Sequence, residues 1–333
     1  MRIGIIGLGY WGPNLLRNFA AQPEGEVVWG CDLSEANLAK AQRHYPALRV
    51  STKIDDLIAD PSLELIIIAT PTIGHAPIAK AALLQGKHVF VEKPMARTVQ
   101  EAEELVYIAH ERKKFLMVDH TFVFAPAVQT IANTVHDGRL GNLLYFDSVR
   151  INLGLLQKDC NVLWDLAIHD LSIISTFKDL ATARSVTAHG SKHFGSQIEN
   201  AHLHITFADG FEAHIHCSWL SPVKIRQTIL AGTKAMITYD DTHPSEKVRI
   251  YDKGVERDTS KPDPFFPKYR AGEIRIPALP GEEPLAREAA HVLRCVRGDE
   301  QPMVTGTHGL NIVRILEASD VSLQRGSVPV MLP

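Results

Sequence analysis

Residues 1–13 read MRIGIIGLGYWGP, and this segment indicates the fold of the N-terminal part of the chain. The apolar residues Ile3 to Ile6 predict a buried β-strand. The GxGxxG spacing that follows predicts a tight turn into a helix, and Pro13 suits the first turn of that helix. Such a turn lets the backbone approach a pyrophosphate, which the free amides of a helix N-terminus attract. The predicted dinucleotide contacts are Gly7, Gly9, Tyr10, Trp11 and Gly12.

Asp32 extends this prediction to the choice of dinucleotide. It lies 20 residues after Gly12 and directly follows a second predicted strand, Val27 to Cys31. A carboxylate at this position accepts hydrogen bonds from the adenosine ribose and repels the 2′-phosphate of NADP. Because Leu33 and Ser34 follow it instead of a basic residue, the sequence predicts NAD as the cofactor.

The remainder of the first 120 residues alternates short apolar runs with amphipathic stretches, which is typical of a parallel sheet with crossover helices. Further strands are predicted over 65–69, 88–91 and 115–118, and helices over 34–44 and 78–85. Beyond residue 120, alternating segments predict an antiparallel sheet, at 144–154, 185–192, 201–207, 211–219, 226–230 and 235–239. Helices are predicted over 163–176, 285–297 and 309–324, and a surface excursion over 261–284. The predicted class is α/β, with domains at 1–120 and 121–333.

Composition narrows the function classes. The chain has 333 residues, with 35 Lys and Arg against 38 Asp and Glu and no long block of either sign, so it lacks the clustered basic surface of a nucleic-acid binder. Its four cysteines form no CxxC pair, which argues against a disulfide framework and a structural zinc site. No run reaches the ~18 apolar residues of a membrane span, and no leader pattern precedes the first strand. We therefore expect a cytoplasmic protein that binds neither nucleic acid nor membrane.

Two further segments are predicted to end strands of the first sheet. Thr70 and His75 follow one strand, and Glu92 and Lys93 follow the next. Ligands of open α/β sheets bind off the carboxyl ends of the strands, so these four residues are candidate cofactor contacts. Lys93 could equally be a solvated surface charge, and His75 an ordinary residue at a helix start.

The segment from Trp164 to Asp170 holds the candidate catalytic pair. Asp165 and His169 are four residues apart, so on a helix they share one face. Oxidation of an alcohol needs a base for the hydroxyl proton as hydride leaves, and imidazole titrates near neutrality. A neighbouring carboxylate would orient the ring. The plainer alternative is an i, i+4 surface pair without chemistry.

These motifs, in this order, resemble the glucose-fructose oxidoreductase and inositol dehydrogenase family, Gfo/Idh/MocA. The resemblance rests on the glycine turn, Asp32, the segment GKHVFVEKP at 86–94 and the pair Asp165 and His169, and it extends to 283–285 and 302–317. It implies an N-terminal Rossmann domain and a C-terminal α/β domain with a largely antiparallel, open-faced sheet. It also implies that the nicotinamide of NAD lies between the two domains.

The resemblance implies roles for individual residues as well. Lys93 would hydrogen-bond the reacting substrate and the nicotinamide ribose. His169 would be the general acid/base, and Asp165 would orient it and contact the substrate. We prefer His169 to Lys93 as the base, because a lysine acting as base needs a strongly lowered pKa. Further substrate contacts are expected from His120, Lys158 and Asn161, with a packed or solvated strand-end histidine as the alternative for His120.

Within the family, the chain is most similar to members that act on nucleotide-linked sugars, and among these to the UDP-N-acetylglucosamine 3-dehydrogenases of lipopolysaccharide biosynthesis. The similarity is carried by YWGPN at 10–14 and NVLWDLAIHD at 161–170, where Ile168 stands in place of a frequent proline. It implies oxidation of the C3 hydroxyl by NAD to a 3-keto sugar, which a partner aminotransferase then aminates. The alternatives are a nucleotide-sugar ketoreductase, a polyol or inositol dehydrogenase, a glycoside hydrolase that recycles NAD, and a non-catalytic sensor.

A histidine-rich hairpin is predicted over 201–219, with a three-residue loop at 208–210. This loop length pairs His204 with His214 and His202 with His216 on one polar face. Four imidazoles could bind a divalent metal, but side chains on a flat sheet seldom converge, so no metal is expected. The face is instead expected to contact another subunit, since family members often associate through the open sheet. A dimer or tetramer is predicted, weakened by mild acid because charged imidazoles repel one another.

Overall fold

The computed structural model describes residues 1–257 and 267–333. Contacts divide the chain into two compact units, residues 1–124 with 282–314, and residues 125–281 with 315–333. The predicted domains, 1–120 and 121–333, differ from this division because they place residues 282–314 in the second domain. Helical periodicity reveals an apolar face but not the surface that it covers, so the return of the chain to the first unit has no signal in the sequence.

The elements are numbered along the chain. The strands are β1 (Arg2–Ile6), β2 (Glu26–Cys31), β3 (Arg49–Ser51), β4 (Leu65–Ile68), β5 (His88–Glu92), β6 (Leu116–Asp119), β7 (Leu143–Leu153), β8 (Ala183–Ser191), β9 (Asn200–Phe207), β10 (Glu212–Ser218), β11 (Leu220–Gly232), β12 (Met236–Asp240), β13 (Val248–Arg257), β14 (Pro267–Arg275) and β15 (Val330–Met331). The helices are α1 (Gly12–Ala20), α2 (Glu35–His44), α3 (Ile54–Ile58), α4 (His75–Leu84), α5 (Val99–Arg112), α6 (Pro126–His136), α7 (Ile168–Ile174), α8 (Pro284–Arg297) and α9 (Gly306–Gln324). A π-helical turn (Leu163–Ala167) precedes α7.

The first unit is built on a six-stranded parallel sheet in the order β3-β2-β1-β4-β5-β6. Strand β4 is buried along its whole length, as expected of a parallel strand covered on both faces. Phe19 of α1 and Phe90 of β5 pack with ring centroids 5.6 Å apart, and Ala289 and Leu293 of α8 join the same core. The predicted Rossmann domain is confirmed. The strand order reverses between β1 and β4, and ligands of such sheets bind at this point.

The second unit contains a nine-stranded sheet in the order β14-β13-β12-β11-β7-β10-β9-β8-β15. Strands β7 and β10 run parallel, and the other pairings are antiparallel. The predicted, largely antiparallel sheet is confirmed. Strand β7 lies at the centre of this sheet, and three of its alternate residues, Phe146, Ser148 and Arg150, turn buried side chains to one face.

The predicted surface excursion over 261–284 contains a strand that the sequence did not indicate, because residues 267–275 form β14 and pair with β13. Most of β14 is exposed, and an exposed strand rich in charge lacks the apolar alternation that identifies a half-buried one. Residues 261–266 lie outside the described residues. In the described parts of the chain, no helix is long and apolar enough to cross a membrane.

Candidate functional site

The glycine turn after β1 has the shape that its spacing predicts. Gly7 has a φ of +95°, and a side chain there would collide with the carbonyl oxygen of Ala69. A side chain at Gly12, the first residue of α1, would collide with the carbonyl oxygen of Gly7. Gly9 differs, because a Cβ there would meet no described atom within 4 Å. The protein itself requires the first and third glycine, while the open space at the second fits an approaching pyrophosphate.

Asp32 follows β2 and orders the glycine turn. Its Oδ2 accepts a hydrogen bond from Leu8 N at 2.7 Å, and its Oδ1 accepts from Ser34 N at 2.8 Å and from Asn37 Nδ2 at 3.1 Å. The carboxylate thereby connects the turn to the first residues of α2. A carboxylate has about four acceptor positions, so Asp32 retains capacity for a ribose hydroxyl.

The two aromatic residues of the turn have different surroundings. Tyr10 is 95% exposed, and its ring is open to a ligand. Trp11 is 37% exposed, and its Nε1–H donates to Asp119 Oδ2 at 3.1 Å. Trp11 therefore connects the glycine turn to the end of β6, a contact that the sequence analysis did not anticipate.

His75 begins α4 and is almost fully buried. Its Nδ1 lies 2.8 Å from the carbonyl oxygen of Pro94, and its Nε2 lies 2.8 Å from that of Thr70. Burial lowers the pKa of the ring, and the two carbonyls oppose that shift. The ring joins the loops that carry Thr70 and Lys93, so His75 positions these loops, and its contact with the cofactor stays a prediction. The Oγ1 atom of Thr70 is buried and has no hydrogen-bond partner among the described residues, which leaves it for a ligand.

Three carboxyl groups meet at the carboxyl edge of this sheet. Glu92 and Asp119 end the neighbouring strands β5 and β6 and lie opposite each other in register. Glu288 reaches the same place from α8, and burial, followed by the nearby charge of Asp119, raises the pKa of both glutamates well above the usual range. Lys93 adjoins the group, and its backbone N–H donates to Glu92 Oε2 at 3.0 Å. Lys93 itself is half-buried, so the structure does not place it as a fully solvated surface charge.

His120 lies inside the first unit at 2% exposure. Its backbone N–H donates to Glu288 Oε1 at 3.1 Å, and burial lowers the pKa of its ring to about 4. Neither ring nitrogen has a hydrogen-bond partner among the described residues. The predicted substrate contact at His120 therefore belongs to a buried, neutral imidazole. The sequence analysis did not identify two of its neighbours, Asp119 and Glu288. Asp119 could have been found, because it comes at the end of a predicted strand, as Asp32 does. Glu288 could not, because only the packing of α8 in the structure brings it to this place.

The candidate catalytic pair lies in the second unit, where the chain passes from the π-helical turn into α7. Asp165 and His169 are half-buried, and the other residues of the segment 161–170 are buried. The two side chains are thus the partly accessible ones of this segment, and a π-helical turn replaces the predicted regular helix at Asp165. Such turns are frequent at functional sites. The indole Nε1–H of Trp219 donates to Asp165 Oδ2 at 2.9 Å and fixes the carboxylate.

A buried ion pair anchors α7 to the second sheet. Arg150 of β7 donates from Nε and Nη2 to the two carboxylate oxygens of Asp170, both at 2.9 Å. The two side chains are 3% and 1% exposed. Because Asp170 directly follows His169, this bidentate pair sets the position of the imidazole along the sheet.

The two remaining predicted substrate contacts differ. Asn161 is buried and caps the π-helical turn, since its Oδ1 accepts from the backbone N–H groups of Leu163 and Trp164 at 3.0 and 3.3 Å. Its Nδ2 donates to Asp320 Oδ1 at 2.7 Å. These contacts give the Asn161 amide a structural role in the turn, and its substrate contact stays a prediction. Lys158 is exposed in the loop before this turn.

The histidine hairpin has the predicted register. His204 pairs with His214 and His202 with His216, and their rings stack with centroids 4.5 and 4.1 Å apart. Glu212 Oε2 lies 3.8 Å from Nε2 of both His204 and His214. One ligand atom of each of these three residues lies within 4.8 Å of the others. The sequence analysis considered the four histidines but not Glu212, which adds a carboxylate to the group.

Comparison with known proteins agrees with this geometry. Residues 1–120 match a family model described as an oxidoreductase family with an NAD-binding Rossmann fold, and residues 128–238 match the GFO/IDH/MocA C-terminal domain. A cyclohexadiene dehydrogenase of Comamonas testosteroni is 32% identical over 45% of this chain and 38% of its own length. A family 109 glycosyl hydrolase of Shewanella amazonensis is 30% identical over 46% of this chain and 35% of its own. The chain thus spans well under half of the length of these relatives.

A solved structure of similar fold is the UDP-N-acetylglucosamine 3-dehydrogenase GnnA of Acidithiobacillus ferrooxidans. It superposes with a TM-score of 0.81 over 98% of both chains, at 22% identity. At that identity the likeness shows the fold alone. The two family models together cover more than half of the chain, and the glycine turn fits NAD. The chain belongs to the Gfo/Idh/MocA family of NAD-binding oxidoreductases.

Proposed function

We propose that this oxidoreductase oxidises a ring hydroxyl of a nucleotide-linked sugar, and that its target is the C3 hydroxyl of UDP-N-acetylglucosamine. The observation that carries the chemistry is the partial exposure of Asp165 and His169 in an otherwise buried segment. An accessible imidazole next to a fixed carboxylate suits proton removal from a hydroxyl. The motifs at 10–14 and 161–170, together with the likeness in fold to the Acidithiobacillus enzyme, support the choice of sugar.

Each residue has a separate role in this proposal. NAD supplies the hydride acceptor when it is bound. His169 takes the hydroxyl proton, and Asp165, itself held by Trp219, orients the imidazole and contacts the sugar. Lys93 hydrogen-bonds the reacting oxygen and the nicotinamide ribose. Orientation of the substrate contributes most of the rate, because the reaction forms no covalent bond to the protein.

The proposal includes two kinds of protein partner, a downstream enzyme and further copies of the chain. Oxidation of an alcohol by NAD is often uphill, so a reaction that consumes the ketone draws it forward, and an aminotransferase would do so by forming a 3-amino sugar. We also propose that copies of the chain associate through the open face of the nine-stranded sheet.

The test is incubation of the purified protein with NAD and a panel of UDP- and dTDP-hexoses, with an aminotransferase and glutamate present to trap a ketone. We expect NADH and a 3-amino sugar from UDP-N-acetylglucosamine. NADH from a different hexose alone would move the assignment to that sugar. Absence of NADH with every sugar would contradict the dehydrogenase.

A glycoside hydrolase that recycles NAD is the second candidate, because one of the relatives is a family 109 glycosyl hydrolase. The same preparation is therefore incubated with an aryl glycoside. Release of the aryl group that depends on NAD but produces no net NADH would favour the hydrolase over the dehydrogenase.

A further inference from the structure

The histidine hairpin of β9 and β10 brings three metal-ligating side chains together on the open face of the second sheet. His204 and His214 lie directly opposite each other in register, and Glu212 is two residues from His214 on the same face of β10. The Nε2 atoms of both imidazoles lie 3.8 Å from Oε2 of Glu212. Among the described residues, this is the one group of three such side chains whose ligand atoms all lie within 4.8 Å of one another.

The sequence predicts no metal on this face, because side chains on a flat sheet seldom converge. Here they do, since the two histidines are an opposed cross-strand pair and Glu212 reaches back along β10. Two ligand atoms on one tetrahedral zinc ion lie about 3.4 Å apart, so the separations of 3.8 Å need a contraction of about 0.4 Å. The rings are parallel to within 2° and would turn towards the ion. His214 and Glu212 have room for this movement, because their side chains are 48% and 49% exposed.

One atom of the group lacks a hydrogen-bond partner. Nε2 of His204 is buried and has none among the described residues. The 3.8 Å to Glu212 Oε2 is too long for a hydrogen bond. Buried polar atoms are normally satisfied by protein, water or an ion. An ion held between His204 and Glu212 would supply the missing partner.

A second carboxylate stands beside the group. Asp147 of β7 lies in register with His214 on the neighbouring strand, so both side chains are on the same face of the sheet. Glu212 and Asp147 together place two negative charges next to the two imidazoles. This arrangement favours a cation at the three ligand atoms.

The group is separate from the candidate catalytic pair. The residues of β10 that alternate with the ligands, Ala213, Ile215 and Cys217, are buried on the other face of the sheet. Arg150 lies in register with Cys217 and holds Asp170 of α7 from that buried face. An ion on the open face therefore has no part in proton removal by the pair.

We propose that His204, Glu212 and His214 bind one divalent transition-metal ion, that zinc is the ion they match best, and that water completes its coordination. Two imidazoles and one carboxylate are a ligand set of zinc sites that leave the fourth position open. Imidazole suits zinc and the later transition metals, whereas Mg²⁺ and Ca²⁺ take oxygen ligands. The ion connects β9 to β10. The inference does not depend on which sugar the protein oxidises.

The first test is calorimetric titration of the full chain, free of any affinity tag, with zinc chloride. We expect one ion per chain, and excess Mg²⁺ should not compete with it. Glu212→Gln and His214→Asn should each raise the Kd for zinc by on the order of tenfold or more, because even loss of a group that only orients a ligand costs about 10–100-fold. Both side chains are about half-exposed, so both variants should fold.

His202→Asn is the matched control. His202 belongs to the other stacked pair of the same hairpin, with its ring centroid 4.1 Å from that of His216. In that pair, Nε2 of His216 is 3.0 Å from Oδ1 of Asn200 and already has a partner. The Kd for zinc should therefore stay unchanged in His202→Asn. Equal weakening by all three substitutions, or no zinc uptake by the wild type at millimolar zinc, would overturn the proposal.

The second test replaces zinc with Co²⁺, because tetrahedral Co²⁺ absorbs visible light much more strongly than the hydrated ion. We expect strong visible bands in the wild type and in His202→Asn, and their loss in Glu212→Gln and His214→Asn. The weak bands of the hydrated ion alone in the wild type would show that the three side chains hold no common ion, and the site would be refuted.

Discussion

At the scale of single residues, Gly9 and Gly12 occupy one turn for different reasons. A Cβ at Gly12 collides with the backbone of Gly7, whereas a Cβ at Gly9 meets open space. We expect Gly12→Ala to lower the free energy of unfolding by about 1–3 kcal/mol, the range for overpacked positions. Gly9→Ala should retain stability but raise the Kd for NAD by on the order of tenfold, because its methyl group stands where the pyrophosphate approaches.

The pair serves as its own control, with denaturant unfolding and NAD titration measured on both variants. Equal loss of stability in Gly9→Ala and Gly12→Ala would contradict the division of roles.

The second prediction at this scale concerns His169. We expect His169→Asn to lower kcat by about 10²–10⁴-fold, because general acid/base catalysis contributes that much, while the Kd for NAD stays unchanged. His110→Asn is the matched control, since that side chain is 85% exposed on α5. The measurement is initial rate against substrate at fixed NAD. Full activity in His169→Asn would move the base to another residue, with Lys93 the first candidate.

The site residues show how far sequence reasoning reaches. Asp32 and the three glycines are found by spacing, because a dinucleotide-binding turn between a strand and a helix needs these residue types at fixed separations along the chain. His75 and Asn161 have the residue types of ligand contacts. His75 contacts two backbone carbonyls, whereas Asn161 accepts from two backbone N–H groups and donates to the Asp320 side chain. Which partner a polar side chain takes depends on loops that meet only in three dimensions, and no pattern along the chain records this.

At the scale of elements, the pair Arg150 and Asp170 determines where α7 lies. The two carry opposite charges at almost complete burial, so removing one partner leaves the other uncompensated. We expect Arg150→Met to lower the free energy of unfolding by about 3–5 kcal/mol. The double variant Arg150→Met with Asp170→Leu should recover most of that loss, because no buried charge remains.

Denaturant unfolding gives the free energy of unfolding of both variants. The kcat of the double variant then shows whether the ion pair also positions His169. If the ion pair positions His169, stability recovers while kcat stays low. Recovery of both would show that packing alone is sufficient to place α7.

Strands and helices could be predicted where burial of one face makes apolar residues recur at a regular spacing. The hairpin of β9 and β10 was found with its register because apolar residues alternate strictly and the loop is short. Strand β14 was missed because it is mostly exposed, and the π-helical turn was missed because an extra residue per turn leaves the apolar pattern of a short helix almost unchanged.

At the scale of the whole molecule, the histidine hairpin predicts a response to acid. Burial lowers the pKa of His202 and His216, helped by His189 facing the first and by His202 facing the second. A histidine whose folded pKa is lowered contributes stability above its unfolded value of about 6.5, and this is lost as pH falls.

We therefore expect the proposed oligomer to lose mass between neutral pH and about pH 5.5, as measured by light scattering after gel filtration. His202→Asn should reduce the sensitivity. His136→Asn is the control, because His136 is exposed at the end of α6. An unchanged mass across this range would contradict the role of the hairpin in assembly.

The placement of α8 has a consequence for the order in which the protein is made. Leu285, Ala289 and Val292 complete the core around Ile3 and Phe19, although about 265 residues of chain separate the two parts. Domains commonly fold from the N-terminus as they leave the ribosome, at about 5–20 residues per second. Here the nascent NAD-binding unit keeps an uncovered apolar face until residues 284–297 have been synthesised. A ribosome that stalls before residue 284 releases a product that has its glycine turn but lacks both this cover and Glu288, so such fragments should be targets for chaperones and proteases.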